Sequence, residues 1–260
     1  MGISRDIVGW TANTEDRVAS LYAPSTRWEK LPEWTCRLPD RFSIPVEDLR
    51  YQLDQVRSRF KIEPIIVDPE TGKRRLTYRG IGLTSRSGST DPIYEAAQFF
   101  SAKGEFVSSA KSMGYSGVSQ AGSREAEFEK EFAYENEVAP DFVRQLRSLF
   151  KRWNLTKVRI MELHPEGRVA PHFDHPYYEQ IRFHYVIETN ADVFWEVEGH
   201  QFQVPNDGSL HWFDTGRIHS VYNFGETVRT VLSLHLCPKS ALEDIPSADE
   251  FLRKLKTGDL

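Results

Sequence analysis

The chain contains only two cysteines, Cys36 and Cys237, in 260 residues. Two thiols cannot build a disulfide framework, so a reducing compartment is expected. No run of about 18 apolar residues occurs, which argues against a membrane-spanning helix. The opening residues carry Arg5, Asp6, Glu15, Asp16 and Arg17 and no apolar stretch, unlike a secretory leader. A cytoplasmic protein is the expectation. Charge of one sign is also scarce, with a net of −5. That argues against electrostatic gripping of nucleic acid or an anionic membrane as the main activity. Histidine is missing from residues 1–163, and all eight lie between His164 and His235. Histidine is the commonest metal ligand and the usual acid–base residue, so that window is where such chemistry would sit.

What is present suffices for a core: 39% hydrophobic, 27% charged and 12% aromatic residues. The length suits one large domain, 1–260. Residues 1–135 read as a helical and irregular wrap with substrate-side loops. Within them Val46, Leu49, Leu53, Val56 and Phe60 recur at helical spacing. Ile65–Val67 and Leu76–Leu83 read as strands around the turn Asp68-Pro69-Glu70-Thr71-Gly72. Ser101–Ser123 holds four glycines and seven serines and reads as a linker or a substrate-covering loop. A second amphipathic helix follows Pro140, with Phe142, Leu146, Leu149, Phe150 and Trp153 on one face and Lys151 and Arg152 in its last turn.

From 136 to 238 the pattern becomes one of short strands. They read as Val158–Leu163, Ile181–Glu188, Val193–Val197, His200–Val204, Leu210–Phe213, Ser220–Phe224 and Val228–Leu236. So many short strands in so little chain indicate a sandwich or barrel. The fold expected is mainly β with flanking helices. Residues 239–260 read as C-terminal helices, with capping-box spacing at Ser240/Glu243 and Ser247/Glu250.

His172-Phe173-Asp174 is the sharpest local feature. Side chains two apart on extended chain point the same way, so an imidazole and a carboxylate can share one ion. His219, at a strand entrance, is the natural second histidine. Two histidines and a carboxylate leave open positions, as in non-haem Fe(II) oxygenases, which need room for a chelating cosubstrate and O2. Ile181, Phe183, Tyr185 and Ile187 form one apolar strand face, which puts Arg182 and His184 on the other. Arg229 opens another apolar strand. Two inward arginines near a metal suit a dicarboxylate such as 2-oxoglutarate. The alternative is that they pair with Glu162, Glu188 or Asp214.

The stretch Arg159–Pro238 resembles the aspartyl/asparaginyl β-hydroxylase-like family of Fe(II)/2-oxoglutarate dioxygenases, which includes amino-acid and proline hydroxylases. The residues that carry the resemblance are Pro165-Glu166-Gly167-Arg168-Val169-Ala170-Pro171-His172, Arg182-Phe183-His184, Gly216-Arg217-Ile218-His219 and Arg229. The resemblance implies a double-stranded β-helix, a cupin-like jelly roll. It implies His172, Asp174 and His219 as iron ligands, Arg229 on the distal carboxylate of 2-oxoglutarate, and Arg182 and His184 at its metal end. It also implies hydroxylation of an unactivated C–H bond, with succinate and CO2 as coproducts. Some relatives place a small residue where Asp174 stands; the carboxylate here favours hydroxylation over halogenation. Some hold the cosubstrate with a serine at the position of Met161, so Tyr185, Asn223, Ser233 or a water is left to supply that bond.

The substrate expected is a small amino acid or a molecule derived from one. Arg79, Arg86 and His175 are the candidates to contact it. His164, His200 and His211 read as strand or turn residues, and His235 shares strand parity with Arg229 and Ser233. Two rival functions stand beside the hydroxylase: a metal-dependent cupin enzyme that does not use 2-oxoglutarate, and a non-catalytic ligand-binding β-helix module.

Overall fold

The computed structural model describes residues 35–68, 73–84, 99–100, 106–107, 138–150, 153–172, 174, 181–238 and 247–259. All of them belong to one unit, Leu31–Leu260. The strands, in chain order, are β1 (Thr35–Arg37), β2 (Glu63–Asp68), β3 (Lys73–Gly82), β4 (Phe99–Phe100), β5 (Phe106–Val107), β6 (Trp153–Leu163), β7 (Arg168–His172), β8 (Ile181–Glu188), β9 (Val193–Val197), β10 (His200–Phe202), β11 (Leu210–Phe213), β12 (His219–Asn223) and β13 (Arg229–Pro238). Three helices accompany them: α1 (Val46–Arg59), α2 (Pro140–Leu149) and α3 (Ala248–Thr257).

Two antiparallel sheets carry the fold. The larger has the order β1-β11-β8-β13-β6-β3-β2, and the smaller β10-β9-β12-β7. From β6 onward the chain alternates between them, with β6, β8, β11 and β13 in the larger sheet and β7, β9, β10 and β12 in the smaller. That alternation is the double-stranded β-helix the sequence led us to expect. β4 and β5 pair separately.

Strand alternation gives the larger sheet two different faces. Outward, Phe183, Tyr185, Leu232, Leu234 and Trp212 join Leu49, Leu53, Phe142, Leu146, Phe251 and Leu255 of the helices in one apolar core. Each such side chain contributes roughly 1.5–3 kcal/mol by leaving water. Inward, between the sheets, a smaller core holds Met161, Leu163, Val186, Trp195, Phe213, Val221 and Val231. The helix-side core fixes the sheet, and the inner face is left for polar groups.

Local sequence explains the helices. α1 has Pro45 before its first turn, acidic Glu47 and Asp48 within it, and Arg57 and Arg59 at the end, which suits the helix dipole. Ser247 caps α3 by accepting from the Glu250 N–H at 3.4 Å, and Gly258 ends it in the left-handed conformation.

Some boundaries differ from the sequence reading. The helix after Pro140 stops at Leu149, and Trp153 instead begins β6. Its last-turn base is Arg147, while Lys151 and Arg152 lie outside the described residues. β7 did not stand out as a strand because Pro171 and flanking turn residues break its pattern. The segment read as an outer wrap supplies β1, β2 and β3 to the larger sheet. β2 and β3 are the strands read at Ile65–Val67 and Leu76–Leu83, each somewhat displaced at its ends, and they pair with register shifts. Ser101–Ser123, apart from Phe106–Val107, and Ser240/Glu243 lie outside the described residues.

Candidate active site

β7 and β12 run antiparallel with His172 and His219 as register partners. Two residues beyond β7, the Asp174 N–H donates to the Thr215 carbonyl at 2.7 Å. This tie brings the carboxylate to the entrance of β12. Asp174 Oδ2 stands 3.3 Å from His219 Nε2. The His172 backbone shares this edge; its side chain is not among those described.

The ring of His219 is oriented from behind. Its Nδ1 donates to the Arg217 carbonyl at 2.9 Å, which leaves Nε2 as the lone-pair nitrogen of the neutral imidazole. The Arg217 turn is itself pinned: Nε to Asp214 Oδ2 at 3.1 Å and Nη1 to Glu198 Oε2 at 2.6 Å. Burial raises the Asp214 carboxyl above its ordinary range despite Arg217 beside it. A ring nitrogen and a carboxylate oxygen 3.3 Å apart are two of the donor types that suit a divalent cation.

Arg182 donates to the same Asp174 Oδ2. Its strand neighbour His184 points into the same pocket, 5.0 Å edge-on from Trp195 and 5.3 Å from Phe213. Burial, and then the positive charges of Arg229, Arg182 and Arg159, hold His184 well below the ordinary histidine range. It is neutral, and its buried Nδ1 has no hydrogen-bond partner among the described residues.

Arg229 is 2% exposed. Its guanidinium carbon lies 4.3 Å over the Trp195 ring. Burial lowers it to about 10, still a cation at neutral pH. Among the described residues no carboxylate lies within ion-pair distance of it. The acids that could have neutralised the two inward arginines are engaged elsewhere. Arg57 of α1 takes Glu162 at 2.7 Å and Glu188 at 2.9 Å, and Arg217 takes Asp214. An uncompensated buried guanidinium is costly, and a bound anion would remove that cost.

The three serine substitutes now separate. The Tyr185 hydroxyl donates to the Phe42 carbonyl on the helix side. Asn223 Nδ2 is used by the Leu163 and Thr227 carbonyls at 2.8 and 2.9 Å. Ser233 alone of the three lines the pocket, and its buried Oγ has no partner among the described residues.

Residues 120–238 match the family model Aspartyl/Asparaginyl beta-hydroxylase. The match covers a little under half of the chain, and over those residues the chain is similar to that family. No curated protein matches the chain. Similar solved structures include an oxidoreductase of the 2OG-Fe(II) oxygenase family from Burkholderia pseudomallei, 11% identical over 90% of this chain and 94% of that one, TM-score 0.42. Another is the collagen prolyl hydroxylase of Paramecium Bursaria Chlorella virus-1 in its 2OG complex, 10% identical over 37% and 65%, TM-score 0.28. A third is a cupin-superfamily sugar phosphate isomerase from Silicibacter pomeroyi, 20% identical over 33% and 51%, TM-score 0.25.

Within the matched residues the remaining histidines have structural settings. His164 faces Glu162 at 3.3 Å, His211 faces Ser209 at 2.8 Å, and His200 opens β10 at the surface. His235 is buried and bonded by Arg159. Arg79, a candidate for substrate contact, lies on β3 opposite Glu162. Its Nε donates to the Leu76 carbonyl at 3.3 Å, and it is its neighbour Tyr78 that lines the pocket. Arg86 and His175 lie outside the described residues. Among the pocket residues that the sequence reading missed are Tyr78, Arg159 and Trp195. A charged residue inside the apolar run Val158–Leu163 was the available signal for Arg159. No helix among the described residues is long and apolar enough to cross a membrane.

Proposed function

We propose that the protein is an Fe(II)- and 2-oxoglutarate-dependent dioxygenase. In this reading it hydroxylates an unactivated C–H bond of an amino acid or an amino-acid-derived small molecule, and succinate and CO2 are the coproducts. The observation that supports it most is Arg229, buried without an acid partner among the described residues and facing the pocket that His219 and His184 also line. A cupin enzyme without an acidic cosubstrate, or a module for a neutral ligand, gives that guanidinium nothing to bind.

His172, Asp174 and His219 would hold the iron, which when bound supplies O2 activation coupled to oxidative decarboxylation of the cosubstrate. The Arg217 carbonyl fixes the His219 ring so that Nε2 is the ligating nitrogen. Arg229 takes the distal carboxylate, its plane set by Trp195. Neutral His184 and Arg182 address the metal-end carboxylate as hydrogen-bond donors. For Arg182 this means sharing or exchanging its present partner, Asp174. Trp195, Phe213, Met161 and Val231 keep water from the walls.

Two measurements test the reading. Anaerobic Fe(II) and 2-oxoglutarate together should give a weak visible absorption band that neither gives alone. With O2 and an amino-acid panel, succinate should form in a metal-dependent manner. Absence of both results overturns the proposal.

A further inference from the structure

The inner face of the larger sheet carries a second polar group beyond Arg229 and His184. Arg159 of β6 lines the pocket and is 7% exposed. Its register partner across β13 is Ser233, which is in turn the partner of His184 on β8. On the other side Arg159 is opposed by Gly82 of β3, which brings no side chain over it. Ser233 is 3% exposed, and its Oγ has no hydrogen-bond partner among the described residues. Arg159 Nη2 donates to Nε2 of His235, which sets the orientation of the guanidinium. Burial, reinforced by Arg182, Arg159 and Lys157, keeps His235 well below the ordinary histidine range, so its ring accepts that bond as a neutral base.

Arg229 and Ser233 are four positions apart on β13, roughly 13 Å of strand. The pocket therefore has a cation at each end. We propose that Arg159 and Ser233 form a second oxyanion subsite, which receives the carboxylate of the substrate. The inference rests on the 2-oxoglutarate reading, which assigns Arg229 to the cosubstrate. A planar guanidinium fork beside a hydroxyl donor matches the two oxygens of a carboxylate. The carboxylate would also give Ser233 the partner that a buried hydroxyl needs. The substrate class is then a free carboxylic acid, such as an amino acid with an unblocked carboxyl group, rather than an amide or an internal peptide residue.

Thermal melting of the full chain tests this without turnover. The protein is loaded with Zn(II) and 2-oxoglutarate and probed with the proteinogenic L-amino acids, then with the α-carboxamide of each that binds; the series is repeated without 2-oxoglutarate. At least one free amino acid should raise the melting temperature, and its carboxamide should not. Arg159→Gln should abolish the amino-acid shift and leave the 2-oxoglutarate shift intact. Ser233→Ala, a change of one oxygen, should weaken the amino acid roughly tenfold. If Arg159→Gln does not fold, Ser233→Ala and Arg159→Lys carry the test. Equal binding of acid and amide, no amino-acid shift, or loss of the 2-oxoglutarate shift in the Arg159 variants would overturn the subsite. A wild-type protein that shifts with amino acids but never with 2-oxoglutarate would instead overturn the parent reading; loss of that shift in the Arg159 variants would still uphold the subsite.

Discussion

Arg229 holds its guanidinium carbon 4.3 Å over Trp195, and Trp195 stacks on Phe213 with ring centroids 4.6 Å apart. An aromatic face stabilises a cation without consuming its N–H groups. The edge of the guanidinium therefore stays available to an anion while the fold carries its burial.

This pair separates stability from binding. Arg229→Met removes a buried charge that has no acid partner among the described residues, and it keeps much of the side-chain volume. The melting temperature of the ligand-free protein should stay level or rise, because the desolvation cost of the charge, about 1–3 kcal/mol net of the lost Trp195 contact, disappears. Binding of 2-oxoglutarate should weaken by roughly 100-fold, the scale of one lost charge-assisted pair. Calorimetry on the same samples reads both quantities.

Asp174→Ala should behave differently. It withdraws the carboxylate from His219 and also leaves Arg182 without its partner. Bound Fe(II), measured by metal analysis after anaerobic loading, should fall well below one equivalent. The melting temperature should fall too, in contrast to Arg229→Met.

Arg57 ties α1 to the sheet by bonding Glu162, Glu188 and Thr230. Arg57→Ala leaves Glu162 buried without that cation. A loss of about 2 kcal/mol is expected, discounted from the fully buried case because Arg57 and Glu188 are about one-third exposed. Burial alone would raise the Glu188 carboxyl, but bonds from Arg57 and Thr230 outweigh it and hold the group below 4.5. A depressed carboxylate contributes stability above its unfolded value and loses it as pH falls through the folded one. The gap between wild type and Arg57→Ala should thus be full above pH 4.5 and close as the solution is acidified below it. Urea melts across that range measure the closure.

Gly208 has φ +80°, and a Cβ there would lie 2.1 Å from the Ile44 carbonyl oxygen. The same pair is joined by the Ile44 N–H donating to the Gly208 carbonyl at 3.0 Å. Gly208→Ala should cost about 2 kcal/mol or more in stability. Equilibrium unfolding should show the loss in the midpoint, with metal content per folded molecule unchanged.

Much of this was legible in the sequence, for physical reasons. Ile181–Glu188, Val193–Val197 and Leu210–Phe213 were read to the residue, because short apolar runs rich in β-branched and aromatic residues mark strands even where both faces are buried. The inward pair Arg182 and His184 followed from the alternation of side chains along β8. Long-range relations left no such trace. Nothing local in Arg57 announces that it would take Glu162 and Glu188. Nothing near Trp195 announces Arg229 above it. Arg79 was a candidate for substrate contact and Arg159 was not, and only the register of β3 with β6 puts Tyr78 and Arg159 on the pocket side.

The two-faced sheet has a consequence for how the protein can change. On β8, Phe183 serves the helix-packed core and His184 the pocket; on β13, Leu232 and Leu234 alternate with Val231 and Ser233. Neighbouring codons therefore answer to separate demands, one to folding and the next to ligand choice. New substrate preferences can be explored at alternate positions of the same strands while the scaffold beneath them stays fixed.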